Sequence, residues 1–365
     1  MQAESNVIGE GGFGCVFYPS LQCSEQGVDY HGKVSKVLPD DKAKEELQEN
    51  SLVAKLDPDH RFTLGSPVKC TPSEQSFAAM QKCSRRMQEN FIDSGSGKIK
   101  PETRLLIMQN GGSDLYSTME RLMAAGSTGE TRSEMDRLWH ACVPIFEGLK
   151  IFNENGLLHH DLKLENIVWN YEKLALIDFG EMTTIVSYVE KLENPFQPLI
   201  PAKRLNYPPE VGVYKNANKK CNFVPMFWHV LPEQEPERSN LYAEIMASAQ
   251  IVEADPLVAG MKRRSVETWD LYGLCLGLLI LLQHTRMHEG NVPYTQLNSL
   301  FLKGIDPNPL TRIRIDEATD ELKRILGVEI NREVPQNSAT KRLRAGRRTR
   351  RSKKKRTRSF RRGTF

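Results

Sequence analysis

The sequence HHDLKLEN at residues 159–166, followed by DFG at residues 178–180, is the most informative part of this chain. It has the pattern H-x-D-L-x-x-x-N, and Asp161 precedes Asp178 by 17 residues. Two short strand-like pieces, NIVWN and LALIDFG, enclose a turn at Tyr171-Glu172 between these motifs. Motifs in this order and at this spacing rarely occur together by chance, so they indicate a functional site.

A glycine-rich segment, GEGGFGCV, occupies residues 9–16. Gly9, Gly11, Gly12 and Gly14 would let backbone amides approach a phosphate, because no Cβ blocks the approach. In a dinucleotide-binding fold, glycines in this pattern open a helix. Here CVFYP continues as a strand, which argues against that fold and leaves a glycine-rich hairpin without a ligand as the alternative.

A lysine is expected on the next strand, where it would face the same cleft. Lys36 in V-S-K-V is the preferred candidate, because alternate residues of a strand point the same way. Lys33 is the alternative, but its neighbours His31 and Gly32 are more typical of a turn.

A helix is predicted from Asp41 onward and ends at Asp57-Pro58. It offers three acids as partners for the lysine, namely Glu45, Glu46 and Glu49. We favour Glu49, because the apolar residues Leu52, Val53 and Leu56 place it beside the buried face.

Together these motifs resemble those of the eukaryotic-type protein kinases, and the resemblance extends over roughly residues 5–325. The D-L-K-L-E-N sequence is similar to the Ser/Thr version of the loop. The LDPDHRF, NGGSDL and YPPE segments are similar to the divergent kinases of giant DNA viruses. The resemblance implies a Ser/Thr protein kinase that uses ATP and Mg²⁺ and phosphorylates protein hydroxyls.

The resemblance also implies roles for the motif residues. Asp161 would accept the proton of the substrate hydroxyl, and Lys163 would lie near the transferred phosphate. Asn166 and Asp178 would be the Mg²⁺ ligands, since hard oxygen atoms suit this ion. Asp161 and Lys163 are therefore predicted catalytic residues, as are Lys36 and its partner Glu49.

The nucleotide would be bound by the glycine-rich segment and by the strand and hinge in LLIMQNGGSDL, residues 105–115. In this interpretation Met108 is the gatekeeper, the backbone of Gln109 and Asn110 contacts the base, and Asp114 contacts the ribose. The predicted nucleotide-binding residues are Gly9, Gly11, Gly12, Gly14, Val16, Lys36, Met108, Gln109, Asn110 and Asp114.

Two later features complete and modify the pattern. Tyr207-Pro208-Pro209-Glu210 resembles the end of an activation segment, and Glu210 is predicted to form an ion pair with Arg312. His160 replaces the usual Arg before Asp161, so a phosphorylated activation segment would lack its usual basic partner.

The fold class implied is α+β, a bilobal kinase fold with a small β-rich lobe followed by a larger, mainly helical lobe. Residues 1–108 would form the first lobe, with an insertion at about 57–103. Residues 109–330 would form the second, with an insertion at about 211–265 and a buried helix at residues 271–282. Residues 331–365 would be a disordered basic tail.

The net charge of +4 is a sum of two opposite parts. Residues 341–365 carry 14 Lys or Arg and no acid, which leaves 36 basic against 46 acidic residues, or −10, elsewhere. Clustered positive charge suits nucleic acids and other polyanions, including anionic membranes and acidic proteins. An alternative is that the tail folds back on the acidic body.

The remaining composition bounds the class of protein. The longest apolar run, LYGLCLGLLILL, has 12 residues and is too short to span a membrane, so no transmembrane segment is predicted. The 7 cysteines are scattered, which argues against a disulfide framework or a zinc site and for a reducing compartment. We therefore expect an intracellular protein of the cytoplasm or nucleus, or of the host cell or virion if it is viral.

Two other functions compete with an active protein kinase. A pseudokinase-like scaffold would bind nucleic acid or acidic partners through the basic tail, but it would be expected to lack one of the four residues Lys36, Asp161, Asn166 and Asp178. A small-molecule kinase seldom carries DFG, YPPE and the late Arg312 element together.

Overall fold

The computed structural model describes residues 4–12, 14–193, 207–208, 256–285, 292–306 and 308–329. The chain divides into the units Met1–Glu329 and Ile330–Phe365. The predicted tail therefore lies outside the described residues, as do residues 211–255 of the predicted second insertion.

The first part of the chain is built around an antiparallel sheet of five strands, in the spatial order β1-β2-β3-β5-β4. Short β-branched and apolar runs separated by Gly, Pro and Asn account for these strands. Their bounds are β1 Asn6–Glu10, β2 Cys15–Tyr18, β3 Lys33–Pro39, β4 Val68–Cys70 and β5 Thr103–Gln109.

Helix α1, Asp40–Leu56, follows β3 directly. Its start is favoured by Asp40 and Asp41, because negative charge stabilises the N-terminal end of a helix dipole. Asp57 ends it, as predicted, and donates its N–H to the carbonyl of Val53. The predicted apolar face is only partly correct, because Val53 is buried whereas Leu52 is 40% exposed.

The segment after α1 attaches this helix to the rest of the fold. The buried carboxylate of Asp57 accepts hydrogen bonds from the N–H groups of Arg61 and Phe62 at 2.7 and 3.0 Å. The buried ring of Phe62 packs edge-on against Phe152, with the ring centroids 5.6 Å apart. The Phe62 carbonyl also accepts a hydrogen bond from the N–H of Leu176 at 2.8 Å.

Residues 57–103, predicted as an insertion with some helix, are integrated into the sheet. They supply β4 and two short helices, α2 Phe77–Met80 and α3 Arg85–Phe91. Met87 and Phe91 of α3 are buried in one hydrophobic cluster with Cys15, Phe17 and Leu105 of the sheet. The segment therefore covers one face of the sheet.

Two disulfide bonds, Cys15–Cys83 and Cys23–Cys70, connect this segment to the sheet. The prediction that the cysteines form no disulfide framework is therefore wrong. The pairs are 68 and 47 residues apart in sequence, and such pairings cannot be read from local spacing. Cys142 and Cys275 are buried free thiols, and burial raises the pKa of both.

The second part of the chain is mainly helical. The buried helix predicted at residues 271–282 is confirmed, since nearly all of those residues are buried. The helices are α4 Leu115–Ala125, α5 Gly129–Glu154, α6 Ile185–Glu193, α7 Pro256–Glu267, α8 Trp269–His284, α9 Val292–Gly304 and α10 Ile315–Leu326.

Five short strands lie between α3 and α6 in addition to the main sheet's β5. They form a three-stranded sheet, β6-β8-β9, and a separate pair, β7-β10. Strands β8 and β9 confirm the predicted strands NIVWN and LALIDFG, so the α+β class is confirmed. Their bounds are β6 Ser113–Asp114, β7 Leu157–Leu158, β8 Ile167–Trp169, β9 Leu174–Leu176 and β10 Thr183–Thr184.

Within the described residues, no single helix is both long and apolar enough to cross a membrane. One pair of helical segments, Gly260–Glu267 and Trp269–His284, meets the criterion jointly by length and composition, but it is bent by 52°.

Candidate active site

The glycine-rich segment forms the hairpin between β1 and β2, with Glu10 paired opposite Cys15. The N–H of Gly11 donates to the carbonyl of Gly14 at 2.8 Å. A Cβ at Gly14 would lie 2.5 Å from the carbonyl oxygen of Val37, so only glycine fits there. The segment therefore joins two strands, as predicted, and does not open a helix.

Lys36 lies on the central strand β3. Its Nζ donates to Oε2 of Glu46 at 2.7 Å, and 22% and 20% of the two side chains are exposed. The alternative lysine, Lys33, instead donates to Oε1 of Gln109 at 2.9 Å and is engaged with the end of β5. The geometry therefore favours Lys36 over Lys33.

The predicted pairing of Lys36 with Glu49 is wrong, because Glu46 makes that bond. The prediction depended on Leu52 belonging to the buried face, and Leu52 is exposed. Glu46 and Glu49 are three residues apart, so they lie on the same side of α1 and are separated by about 4.5 Å along its axis. The position of α1 along its axis, and not its buried face alone, therefore selects the acid that meets Lys36.

Glu49 faces the DFG motif instead. It is half-buried, and its Oε2 lies 4.0 Å from the position that a Cβ on Gly180 would occupy. Burial raises the pKa of the Glu49 carboxyl to about 7, and the nearby carboxylates of Glu46 and Asp178 act in the same direction. Helix α1 thus places one acid against Lys36 and another near Asp178.

Helix α8 holds the backbone of the HHD stretch. The two carboxylate oxygens of Asp270 accept hydrogen bonds from the N–H groups of His159 and His160 at 2.7 and 2.8 Å. Burial raises the pKa of the Asp270 carboxyl, and the two N–H donors oppose that rise. Trp269 Nε1 donates to the carbonyl of His160 at 3.1 Å. These bonds fix the chain immediately before Asp161.

Asp161 is buried, and residues of its own loop hold its carboxylate. Nζ of Lys163 lies 2.9 Å from Asp161 Oδ2. Asn166 Nδ2 donates to the Asp161 carbonyl at 2.7 Å and to its Oδ2 at 3.2 Å. Since the amide nitrogen of Asn166 faces Asp161, the amide oxygen is left as the ligand atom. The three residues predicted from the motif therefore form one group.

The DFG motif is attached to the same loop. The Asn166 carbonyl accepts a hydrogen bond from the N–H of Ile177 at 3.1 Å, so Asp178 follows a residue anchored there. Asp178 is exposed and has φ +62°, a left-handed conformation that is unusual for a residue other than glycine. Phe179 is buried, and its ring lies 5.2 Å from the ring of His159.

The predicted hinge follows β5. Met108 is half-buried and Gln109 is exposed. The N–H of Asn110 donates to the Gly32 carbonyl at 3.0 Å, so this donor serves β3 and is not directed to a ligand. A Cβ at Gly112, where φ is +84°, would lie 2.0 Å from the Trp169 carbonyl oxygen. The hinge thus passes directly against β8.

Asp114 caps helix α4. Its carboxylate accepts hydrogen bonds from the N–H of Ser117 at 2.8 Å and from the Ser117 hydroxyl at 2.7 Å. A side chain used in this way stabilises the start of a helix. The predicted ribose contact would therefore compete with capping.

His160, the residue in place of the usual Arg, lies among aromatic rings. Its ring is stacked on Trp269 at a centroid distance of 4.9 Å. The rings of Tyr188 and Tyr207 lie 4.5 and 5.4 Å away. The HHD stretch is therefore connected to α6 and to Tyr207 by aromatic packing.

The predicted ion pair between Glu210 and Arg312 lies outside the described residues, because Glu210 does. Arg312 itself is buried, and its Nε donates to the Asp306 carbonyl at 2.7 Å. Its guanidinium also lies 4.9 Å from the centroid of the Tyr272 ring.

Three functional features were missed by sequence reasoning. They are the pairing of Glu46 with Lys36, the contact of Asp270 with the HHD backbone, and the Cys15–Cys83 disulfide beside the glycine-rich loop. Glu46 was one of the three acids that the sequence offered, but the pattern does not indicate which turn of α1 lies opposite Lys36. The other two features join residues 68 and 111 positions apart, and a single sequence carries no signal for them.

No family model matches this sequence, and no curated protein matches it.

Proposed function

We propose that this chain is an ATP-dependent Ser/Thr protein kinase with a bilobal kinase fold, and that it transfers the γ-phosphoryl group of Mg-ATP to protein hydroxyls. The observation that carries the proposal is the group formed by Asp161, Lys163 and Asn166, anchored through Ile177 to Asp178. A proton acceptor, a cation and two oxygen ligands are what such a transfer requires.

The residues present fit Mg²⁺. Asn166 offers its amide oxygen and Asp178 an exposed carboxylate, and both are hard oxygen ligands of the kind that this ion binds together with phosphate oxygens. Bound there, Mg²⁺ would neutralise phosphate charge.

The nucleotide phosphates would be bound from the sheet side. Lys36 supplies a positive charge that Glu46 holds in place, and the backbone amides of the glycine-rich loop supply donors. Because the transition state of phosphoryl transfer carries spread negative charge, a fixed cation stabilises it without costly rearrangement.

The transfer itself would need one proton acceptor. Asp161 would take the proton from the substrate hydroxyl. At the same time the hydroxyl oxygen would form a bond to the γ-phosphorus, and the bond between the γ-phosphorus and the bridging oxygen would break, so that ADP leaves. Lys163, 2.9 Å from the Asp161 carboxylate, would stabilise charge on the transferred group.

The test is transfer of ³²P from γ-labelled ATP to a basic and an acidic generic protein substrate. Asp161→Asn and Lys36→Met should abolish incorporation, while Asp161→Asn should still bind nucleotide. The exposed Asp59→Asn is the matched control and should behave as wild type. Equal incorporation by wild type and by Asp161→Asn would exclude the proposal.

A second candidate function, binding of a polyanion such as nucleic acid, is favoured by the 14 basic residues of the segment 341–365. Binding of this kind releases counterions and weakens steeply with salt. Deletion of residues 341–365 should abolish DNA or RNA binding at low salt and leave phosphoryl transfer to a generic substrate unchanged. Retained affinity would exclude this function for the tail.

A further inference from the structure

The glycine-rich loop is held at its base by two consecutive residues of the segment that covers the sheet. Cys83 is bonded to Cys15, the first residue of β2. The N–H of Ser84 donates to Oε1 of Glu10, the last residue of β1, at 2.6 Å. Since Glu10 and Cys15 are paired opposite each other, the two contacts hold both strands at the point where the loop begins and ends.

The Cys15–Cys83 disulfide lies on the face of the sheet opposite to Lys36. Val16 pairs with Lys36, and Cys15 pairs with Val37. Because side chains alternate along a strand, Val16 and Lys36 share one face while Cys15 and Val37 share the other. Cys15 and Cys83 are both buried in the cluster formed by the covering segment. The attachment therefore leaves the nucleotide side free.

The tip of the loop has little other support. Among the described residues, no atom lies within 4 Å of the position that a Cβ would take on Gly12, and the nearest one to that position on Gly11 is the Gly14 carbonyl oxygen at 4.0 Å. Gly14 is the exception, since it is packed against Val37. The position of the loop thus depends on its base, and a loop that is already ordered binds its ligand more tightly because less conformational entropy is lost.

We propose that the Cys15–Cys83 disulfide positions the glycine-rich loop for phosphate binding, so that the nucleotide affinity of this chain depends on the redox state of that pair. The inference rests on the proposed function. The second disulfide joins Cys23, five residues after the end of β2, to Cys70, the last residue of β4, and so does not hold the loop.

The glycine-rich loop would be released when a dithiol reductant reduces the Cys15–Cys83 disulfide by thiol–disulfide exchange. One thiolate of the reductant attacks the Cys83 sulfur and forms a mixed disulfide, and the Cys15 thiolate leaves and takes up a proton. The second thiolate of the reductant then closes to a cyclic disulfide and frees the Cys83 thiol. Both sulfurs are buried, so the turn at residues 81–84 must open first, and reduction is expected to be slow.

The experiment measures Mg-ATP affinity of the full chain in three forms, namely oxidised wild type, Cys83→Ser and Cys70→Ser, with thiol states mapped by mass spectrometry. We expect Cys83→Ser to bind about tenfold more weakly and Cys70→Ser to stay within about twofold of wild type, because only the first frees the loop. If activity is present, the KM for ATP should rise while kcat changes little. Equal affinity of Cys83→Ser and Cys70→Ser overturns the proposal.

Hydrogen exchange provides a measurement that does not require catalysis. Exchange at residues 9–16 should increase in Cys83→Ser and in reduced wild type, while residues 159–180 stay protected. Unchanged exchange at residues 9–16 overturns the proposal whatever the nucleotide assays give. Failure of oxidised wild type to bind Mg-ATP, together with increased exchange at the loop, would instead overturn the proposed function. If Cys83→Ser fails to fold, the exchange measured on reduced wild type tests the proposal in its place.

Discussion

Nζ of Lys36 lies 2.7 Å from Oε2 of Glu46, and this contact joins the central strand of the sheet to helix α1. Both side chains are about one-fifth exposed, so the pair is shielded from water more than a surface ion pair. The orientation of α1 therefore decides where the lysine charge is held.

Glu46→Gln should lower the rate of phosphoryl transfer about 10- to 100-fold, because Lys36 loses the charge that fixes its position. Steady-state kinetics with γ-labelled ATP measure this. Glu45→Gln is the matched control, since Glu45 is exposed, pairs with Lys42 and should have little effect. A larger loss in Glu45→Gln than in Glu46→Gln would contradict the assignment.

Glu49 should make the free energy of unfolding depend on pH. Its pKa is about 7 in the folded state against 4.5 in an unperturbed carboxyl, so between these values the folded chain binds more protons than the unfolded chain. Stability therefore falls as pH rises from about 4.5 to about 7, and the full cost remains above pH 7.

Glu49→Gln should remove this dependence and stabilise the protein above pH 7. The upper limit from the pKa difference is about 3 kcal/mol, and solvent screening at a half-buried carboxyl reduces our expectation to about 1 kcal/mol. Urea unfolding at pH 5 and pH 8 measures the effect. A variant that is less stable than wild type at pH 8 would show that the assignment is wrong.

Asp270→Ala should destabilise the fold by about 3 kcal/mol, because it leaves the buried N–H groups of His159 and His160 without their acceptor. The matched control is the exposed Asp59→Ala, for which we expect a change within about 0.5 kcal/mol. The midpoints of urea unfolding compare the two. Similar midpoints would mean that Asp270 does not support the HHD stretch.

Gly112→Ala should cost more than Gly126→Ala although both residues have positive φ, 84° and 69°. At Gly126 the new Cβ meets no described atom within 4 Å, so only the backbone conformation, with φ +69° and ψ −176°, is penalised, by about 1–3 kcal/mol. At Gly112 the Cβ would lie 2.0 Å from the Trp169 carbonyl oxygen. Thermal unfolding should therefore show a clearly larger loss for Gly112→Ala, and equal losses would contradict the close approach of hinge and β8.

Much of the candidate site was predictable from local sequence. Asp161, Lys163 and Asn166 lie within six residues, and the loop that contains them brings the three side chains into contact. The choice of Lys36 followed from strand alternation. Periodicity likewise predicted α1, the strands β8 and β9, and the buried helix α8, because these patterns arise from residues close in sequence.

The α+β class and the residues of the candidate site around Asp161 could be predicted from the sequence alone, since both depend on short-range spacing. That Glu46 and not Glu49 meets Lys36 depends on how α1 packs against the sheet, because the two acids lie on one side of the helix and differ by about 4.5 Å along its axis. The tertiary structure also decided the pairing of Cys15 with Cys83 and of Asp270 with the HHD backbone. These contacts join distant parts of the chain, and packing of the whole fold brings them together.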